Sequence, residues 1–569
     1  MKFYENVLHE VVLLLLNKQK ILFMILGSML FLWSSLAEAS PIDNLQDTRR
    51  QAQERQERLE QPRVQVEGEV HPKSVVEQDH GVHFPIQRVT IVNPTEKFQW
   101  LERRLRAYEG KEYSLAGIHN MLNGLNEAII KRGFTTTRLA PIEQNISAGE
   151  LRLVLAEGRI GKVRFVDGSK EVYWKSAFPF QEGDILNIRD IEQGLEQMKR
   201  LPSQDVKVKL IPSEKPGFTD IVLNVMQERN VYGSIAFDDS GLETTGKYQW
   251  YGSVSVDHLL HQQDFLWLGI NLDGAHSGYE KGTREQDVFY SIPYGRHTFS
   301  LNYQQSNYHQ LMVVPPITFQ TSGEANLTKF TWDYVLHRSA SMKTSMDISI
   351  RKRNSHSYIN DMEIPVQAIH ATAVELGYAE RLYLGNAMTY FRLGHRFGVD
   401  WLGAQKDFDY EGAPTTHYNM WMVDADFRQP FTFSHRPAVF TSSFHGQWTM
   451  DDQQLYGVDM ISIGNRYTVR GFSGKYTLMG GSGWFLRNEV ASQLPGGNHQ
   501  IYLGFDVGSV YGKGSEVYNG LTLAGAALGL RGKFADGVSY DVFLAGPLVR
   551  PEGFKASDVT GGVRVRIAI

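Results

Sequence analysis

A chain of 569 residues with no cysteine, 12% aromatics, 53 glycines and a formal net charge of -5 is neither disordered nor strongly basic. This balance gives nucleic-acid binding no support, and the missing cysteines exclude a disulfide framework and a thiolate metal site.

The chain begins with the order of a secretory leader: Lys18 and Lys20, an apolar run from Ile21 to Leu36, then Ala37-Glu38-Ala39 before Ser40. Cleavage is expected after Ala39, so residues 1-39 are read as a signal peptide. A second apolar run, Val11 to Leu16, precedes the lysines and leaves an uncleaved anchor as the alternative. Beyond residue 40 no run reaches the ~18 apolar residues of a spanning helix, and the longest candidate, Val517 to Leu530, is short and Gly-rich. A mature membrane domain must therefore be built of strands.

Asn44 to Glu60 consists of good helix formers but is polar on every face. Such a helix needs polar surroundings, as an exposed helix or a disordered linker would also have, and it would span about 25 Å, the height of a barrel's apolar band. Pro62 to His83 reads as an extended linker.

Residues 84 to 228 form an α+β region whose halves rhyme. In the first, strand Ile86 to Val92 precedes a helix with Ile118, Leu122, Leu125 and Ile129 on one face, then strand-like Thr135 to Ile142 and Leu151 to Leu155. In the second, strand Lys162 to Val166 precedes a helix with Ile188, Ile191, Leu195 and Met198 on one face, then Val206 to Ile211 and Ile221 to Met226. Two copies of one small domain are expected, with the apolar helix stripes as core and binding on edge strands and helix-side grooves, where an unfolded partner can add itself as a strand.

From Val231 to Ile569 short segments of period 2 alternate with Gly, Asn, Asp and Ser. Met342, Thr344, Met346, Ile348 and Ile350 alternate with Lys343, Ser345, Asp347, Ser349 and Arg351, and Val563, Val565, Ile567 and Ile569 alternate with Arg564 and Arg566. A soluble sandwich alternates in the same way. The leader, the charged inner faces, the strand running to the last residue, and Trp250, Tyr251, Trp267 and Trp421 near strand ends favour a membrane barrel. Shared over sixteen strands, the region leaves about 21 residues per strand and connection, a workable load for an even-numbered barrel.

Within it, Val469-Arg470-Gly471-Phe472 lies in a turn-rich stretch and Asp506-Val507-Gly508 in a strand-like one. Arg470 is either a solvated loop arginine or, inside a barrel, one half of an ion pair that pins a loop, with Gly471 allowing a tight turn. Gly241 to Tyr248 approaches a phosphate-binding loop, but Tyr248 stands where Ser or Thr must hold magnesium, and the segment reads as a hairpin turn. The 18 histidines contain no HExxH pair and there is no G-x-S-x-G elbow, so no catalytic residue, metal or cofactor is expected.

Taken in order, Arg189-Asp190-Ile191-Glu192-Gln193-Gly194-Leu195, Leu201-Pro202-Ser203, Val469-Arg470-Gly471-Phe472, Gly483-Trp484-Phe485-Leu486-Arg487-Asn488-Glu489, Asp506-Val507-Gly508 and Gly546-Pro547-Leu548 carry a family resemblance. The chain resembles the two-partner-secretion outer-membrane transporters (TpsB family, which includes FhaC, ShlB and CdiB), within the superfamily of POTRA-preceded barrels that also contains BamA. The resemblance implies a plug helix and linker at 40-83, POTRA domains at 84-158 and 159-228, and a 16-stranded barrel at 229-569 whose sixth extracellular loop folds into the lumen. It also implies that Arg470 pairs with Asp506, with Val469, Gly471, Phe472 and Gly508 forming the loop anchor. The implied function is outer-membrane secretion of a large unfolded exoprotein (haemolysin, adhesin or contact-dependent inhibition toxin) captured by periplasmic POTRA domains. The implied protein is monomeric and lipid-embedded, binds no nucleic acid and is not an enzyme. A BamA-like insertase is the alternative. Ile569 departs from the aromatic C-terminus common among such barrels.

Overall fold

A computed structural model describes residues 41–66, 78, 81–92, 94–274, 278, 280–314, 317–410, 412–450 and 452–569. The expected signal peptide, residues 1-39, and most of the expected linker lie outside the described residues. Among those described, no helix is long and apolar enough to cross a membrane.

The two α+β repeats share one topology. In the first, Glu150–Ala156 is the central strand, parallel to Arg88–Val92 and antiparallel to Arg138–Pro141. In the second, Phe218–Gln227 is central, parallel to Arg159–Phe165 and antiparallel to Gln204–Pro212. Each sheet carries one long helix. Leu115–Lys131 starts where the Ser114 hydroxyl accepts from Gly117 N, and Ile188–Lys199 where the Asn187 side chain accepts from Arg189 N. The apolar stripes predicted for both helices are buried: Ile118, Leu122, Leu125 and Ile129 in one, Ile188, Ile191, Leu195 and Met198 in the other. The strand expected from Thr135 shortens to Arg138–Pro141, because Gly133, with φ of +97°, turns the chain and Thr135 N donates back to its carbonyl.

Sixteen antiparallel strands close into a barrel, from Val231–Asp238 to Thr560–Ala568, with the two-residue strand Met362–Glu363 folded on one hairpin. At the closing seam Arg564 pairs with Asp238 and Ala568 with Ser234. Ile569 extends the seam by exchanging both backbone hydrogen bonds with Gly233, at 2.9 and 3.0 Å. Outward positions such as Val254, Leu268, Leu503 and Leu544 leave large apolar side chains uncovered, which suits hydrocarbon and not water. Inward positions are charged and mutually paired: Arg392 holds Asp347 at 2.6 Å and Glu375 at 2.7 Å, and Arg396 holds Glu375 at 2.8 Å.

The strand phase corrects the aromatic reading. Trp250 and Trp421 are exposed on the outer face. Tyr251 instead points into the lumen, where its hydroxyl lies 3.0 Å from that of Ser240, and Trp267 shares the inward parity of buried Asn271. Composition near a strand end does not distinguish faces that differ by one residue.

The second repeat is packed against the periplasmic end of the barrel through the polar side of helix Ile188–Lys199. Glu196 sits 2.6 Å from Arg338 and 2.5 Å from Lys343, and Asp190 sits 2.6 Å from Arg296. Gln197 donates to Thr298 at 2.9 Å, and Ser203 N donates to Asp257 at 2.9 Å. Burial alone would raise the Glu196 carboxyl, but the Lys343 ammonium and Arg338 guanidinium outweigh it and hold that carboxyl well below the usual range. The motif Arg189 to Leu195 thus has two buried sides, an apolar one toward its own sheet and a polar one toward the barrel.

Candidate functional site

The bore of the barrel is filled. The helix there is Pro41–Glu60. It extends three residues further toward the N-terminus than Asn44 and lies inside the closed sheet. Its side chains meet the wall from several directions. Asp47 accepts from Arg351 at 2.8 Å and Arg353 at 2.7 Å, both on strand Met342–Ile359, and from Arg50 of its own helix at 2.8 Å. Arg49 stacks 3.7 Å over the Tyr251 ring, with Glu285 3.8 Å away, and Arg50 reaches Gln304 at 3.2 Å. Arg58 pairs with Asp426 at 3.0 Å and lies 4.8 Å over the Tyr390 ring. At the outer end, Asn44 donates to the carbonyls of Gly457 and Met460, at 3.3 and 3.0 Å. A helix polar on every side is held here because the wall offers charges on every side.

Those two carbonyls belong to the sixth extracellular connection, between strands Arg436–Thr449 and Ser482–Gln493. It folds inward through a short antiparallel ladder, Ile461–Ile463 against Leu478–Gly480. Beyond the ladder the Asn465 side chain accepts from Tyr467 N at 2.8 Å and Thr468 N at 3.2 Å, which tightens the turn entering Val469-Arg470-Gly471-Phe472. Val469 and Phe472 are buried with Phe485, Val510 and Leu523 in a small apolar cluster between loop and wall. Gly471 has φ of +102°, and a Cβ there would lie 2.4 Å from the Gly546 carbonyl oxygen, so a side chain is excluded by both backbone strain and contact.

The structure brings Arg470 and Asp506 together. Asp506, on strand His499–Tyr511, accepts from Arg470 Nε at 2.7 Å, from Nη2 at 2.8 Å and from the Arg470 backbone N at 3.0 Å. This is a forked, charge-assisted contact reinforced by the main chain. Its side chain is 0% exposed. The other arm of the guanidinium reaches Glu489 at 2.8 Å, and Glu489 in turn holds Arg531 at 2.8 Å. Gly508 sits beneath Val469, where a Cβ would meet its Cγ2 at 3.1 Å.

Three contributors were not singled out as site residues from sequence. A Cβ at Gly504 would lie 2.3 Å from Arg470 Nη2, and one at Gly525 would lie 1.9 Å from the Arg470 carbonyl oxygen, so both glycines admit the loop tip to the wall. Glu489 ends the segment Gly483-Trp484-Phe485-Leu486-Arg487-Asn488-Glu489, but its role depends on strand Ser482–Gln493 lying beside His499–Tyr511. The plug also touches this anchor: Arg55 donates to the Tyr467 carbonyl at 3.0 Å and lies 5.1 Å over the Phe485 ring. Among the described residues, no group of three or more His, Asp or Glu is placed to hold a metal ion.

Fold and site together define a class: an outer-membrane barrel of sixteen strands with periplasmic POTRA repeats, a helix plugging its lumen and an inward-folded sixth loop. A family model described as haemolysin secretion/activation protein ShlB/FhaC/HecB matches residues 217–532, a ShlB-type POTRA model matches 84–158, and a further POTRA model matches 159–212. The outer membrane transporter CdiB-2 of Burkholderia pseudomallei strain 1026b is 36% identical over 83% of this chain and 81% of its own length. The hemolysin transporter protein HpmB of Proteus mirabilis is 26% identical over 82% of this chain and 83% of its own. The solved structure of CdiB from Escherichia coli superposes with a TM-score of 0.85 at 25% identity, covering 94% of this chain and 99% of that one. The chain belongs to the ShlB/FhaC/HecB family of haemolysin secretion/activation proteins.

Proposed function

We propose that this protein exports a large partner exoprotein across the outer membrane in unfolded form. The POTRA repeats capture the client in the periplasm, the helix Pro41–Glu60 leaves the lumen, and the client passes along the inner faces of the strands. The observation that carries this reading is a bore filled by a helix that meets the wall through side chains, Asp47, Arg49, Arg50 and Arg58 among them. A plug held by ion pairs in a wet, charged lumen is removable, because each pair lost on exit can be replaced by water. The pair Arg470–Asp506 fixes the sixth loop to the wall while the plug moves, so the route keeps its shape. The transporter names of the relatives, one of them a hemolysin transporter, support this reading, and the client classes implied by the family resemblance are haemolysins, adhesins or contact-dependent inhibition toxins. The protein acts as a monomer whose outer band meets lipid, and it performs no catalysis. Folding of the client outside the cell supplies the driving force by making return unfavourable.

The insertase alternative is less favoured by the same observation. The relatives carry transporter names, and a removable plug closes a route that only passage through the lumen requires.

The test is a secretion assay with the large secreted protein encoded in the neighbouring reading frame. Cells carrying both genes are expected to release it into the medium, and cells lacking this chain to retain it in the periplasm. Release without the chain, or loss of other outer-membrane barrels on its deletion, would contradict the reading.

A further inference from the structure

The attachment of the plug does not end with its helix. Past Glu60, the Gln61 side chain accepts from Arg381, and Arg63 donates to the Ala340 carbonyl. The chain then alternates. Arg63 and Gln65 are exposed, whereas Val64 and Val66 are 8% and 5% exposed. Both valines belong to the apolar core of the second POTRA repeat, together with Ile160, Phe178, Ile221 and Leu223. The expected plain linker is therefore, at its start, a docked segment, and its seat receives an i, i+2 pair of branched apolar side chains, the spacing that extended backbone presents to one face.

The seat is mechanically tied to the plug. Three residues, Gln61, Pro62 and Arg63, lie between Glu60 and Val64, so the two are at most ~14 Å apart in extended chain, while the apolar band of such a barrel is about 25 Å tall. With Val64 seated, the helix cannot travel far enough to clear the lumen toward the periplasm.

We propose that this seat is shared: an extended segment of the exoprotein with aliphatic residues at i and i+2 takes the place of Val64 and Val66, and this exchange releases the plug. The inference rests on the transport reading above. An unfolded client exposes many such pairs, and the repeat that carries the seat is packed on the periplasmic mouth through Glu196, Arg338 and Lys343. Client capture and pore opening thereby become one competition, and the chain needs no nucleotide to couple them.

Because the chain has no cysteine, Val66→Cys in the full-length protein carries a single thiol whose maleimide labelling rate reports on the seat. The probe is a synthetic peptide of residues 61–68, Gln-Pro-Arg-Val-Gln-Val-Glu-Gly, with a control peptide in which both valines are serine. A short tether gives an effective concentration in the millimolar range, so millimolar valine peptide competes on near-equal terms and should raise the labelling rate about twofold or more. Channel openings of the wild-type protein in planar bilayers should become more frequent with the same peptide, and the Val64→Ser/Val66→Ser variant should open frequently without it. Labelling and opening unmoved by the valine peptide, or moved equally by the serine peptide, would overturn the proposal. If removal of Pro41–Glu60 opens the channel while neither the peptide nor the double variant does, the shared seat falls and the transport reading stands. If the exoprotein is released without this chain, the transport reading falls whatever the peptide does.

Discussion

Arg470→Ala is expected to leave the barrel folded and inserted but to reduce secretion by roughly a hundredfold or more. The substitution strands Asp506, which is 0% exposed and loses two of its donors, and leaves Glu489 with Arg531 alone. Removing one member of a buried, hydrogen-bonded pair costs about 3–5 kcal/mol, largely through the charge left behind. Applied to the equilibrium between an anchored and a released loop, that bias moves the populations by roughly a hundredfold or more. The barrel itself keeps its strand pairing, because the loop joins neighbouring strands that remain bonded to each other along Ala438–Gln447 and Gly483–Ser492. Arg470→Lys should recover only part of the loss, since an ammonium cannot make the fork to both Asp506 oxygens. Secreted exoprotein in the medium, read beside the heat-modifiable band of the inserted barrel, checks both halves. Full secretion by Arg470→Ala would remove the anchor from the account.

Removal of Pro41–Glu60 is expected to raise single-channel conductance several-fold in planar bilayers. The helix occupies the bore, and once it is gone Arg351 and Arg353 lose Asp47, Asp426 loses Arg58, and Glu285 loses Arg49. These groups are then free to be hydrated, which is the condition for ions to pass. Asp47→Arg is a milder version. It sets a further cation among Arg50, Arg351 and Arg353 and should make spontaneous openings frequent without shortening the chain. The pairs are largely buried, so added salt screens them only weakly, and the wild-type protein should open only slightly more often in high salt. Unchanged conductance after the deletion would reject the plug.

Much of the architecture is legible in the sequence because membrane strands and small α+β repeats obey strict periods. The alternation of Ile348 and Ile350 with Ser349 and Arg351 marks a two-faced strand, and the all-round polarity of Asn44 to Glu60 marks a helix that cannot sit on an apolar core. The turn-forming Gly471 beside Arg470 was readable for the same local reason. What stays hidden is anything that depends on which face meets which neighbour. Tyr251 and Trp250 differ by one residue yet point to opposite sides of the wall. The polar side of helix Ile188–Lys199 looks like a solvated face and is instead buried on Arg296, Arg338 and Lys343. Gly504 and Gly525 carry no signal of their own. Their importance follows from Arg470 lying against them, a contact between segments of different strands. Val64 and Val66 are two ordinary residues in a polar stretch, and only the folded second repeat supplies the core they complete.

The central claim is that a polypeptide travels through the lumen, and site-directed crosslinking during arrested secretion tests it most directly. Ser349 points inward and is 1% exposed, whereas its neighbour Ile348 lies on the opposite, outer face of the same strand. In this cysteine-free chain, Ser349→Cys should capture a cysteine-bearing exoprotein stalled in transit, and Ile348→Cys should not. Capture at Ile348, or at neither position while secretion proceeds, would contradict passage through the barrel.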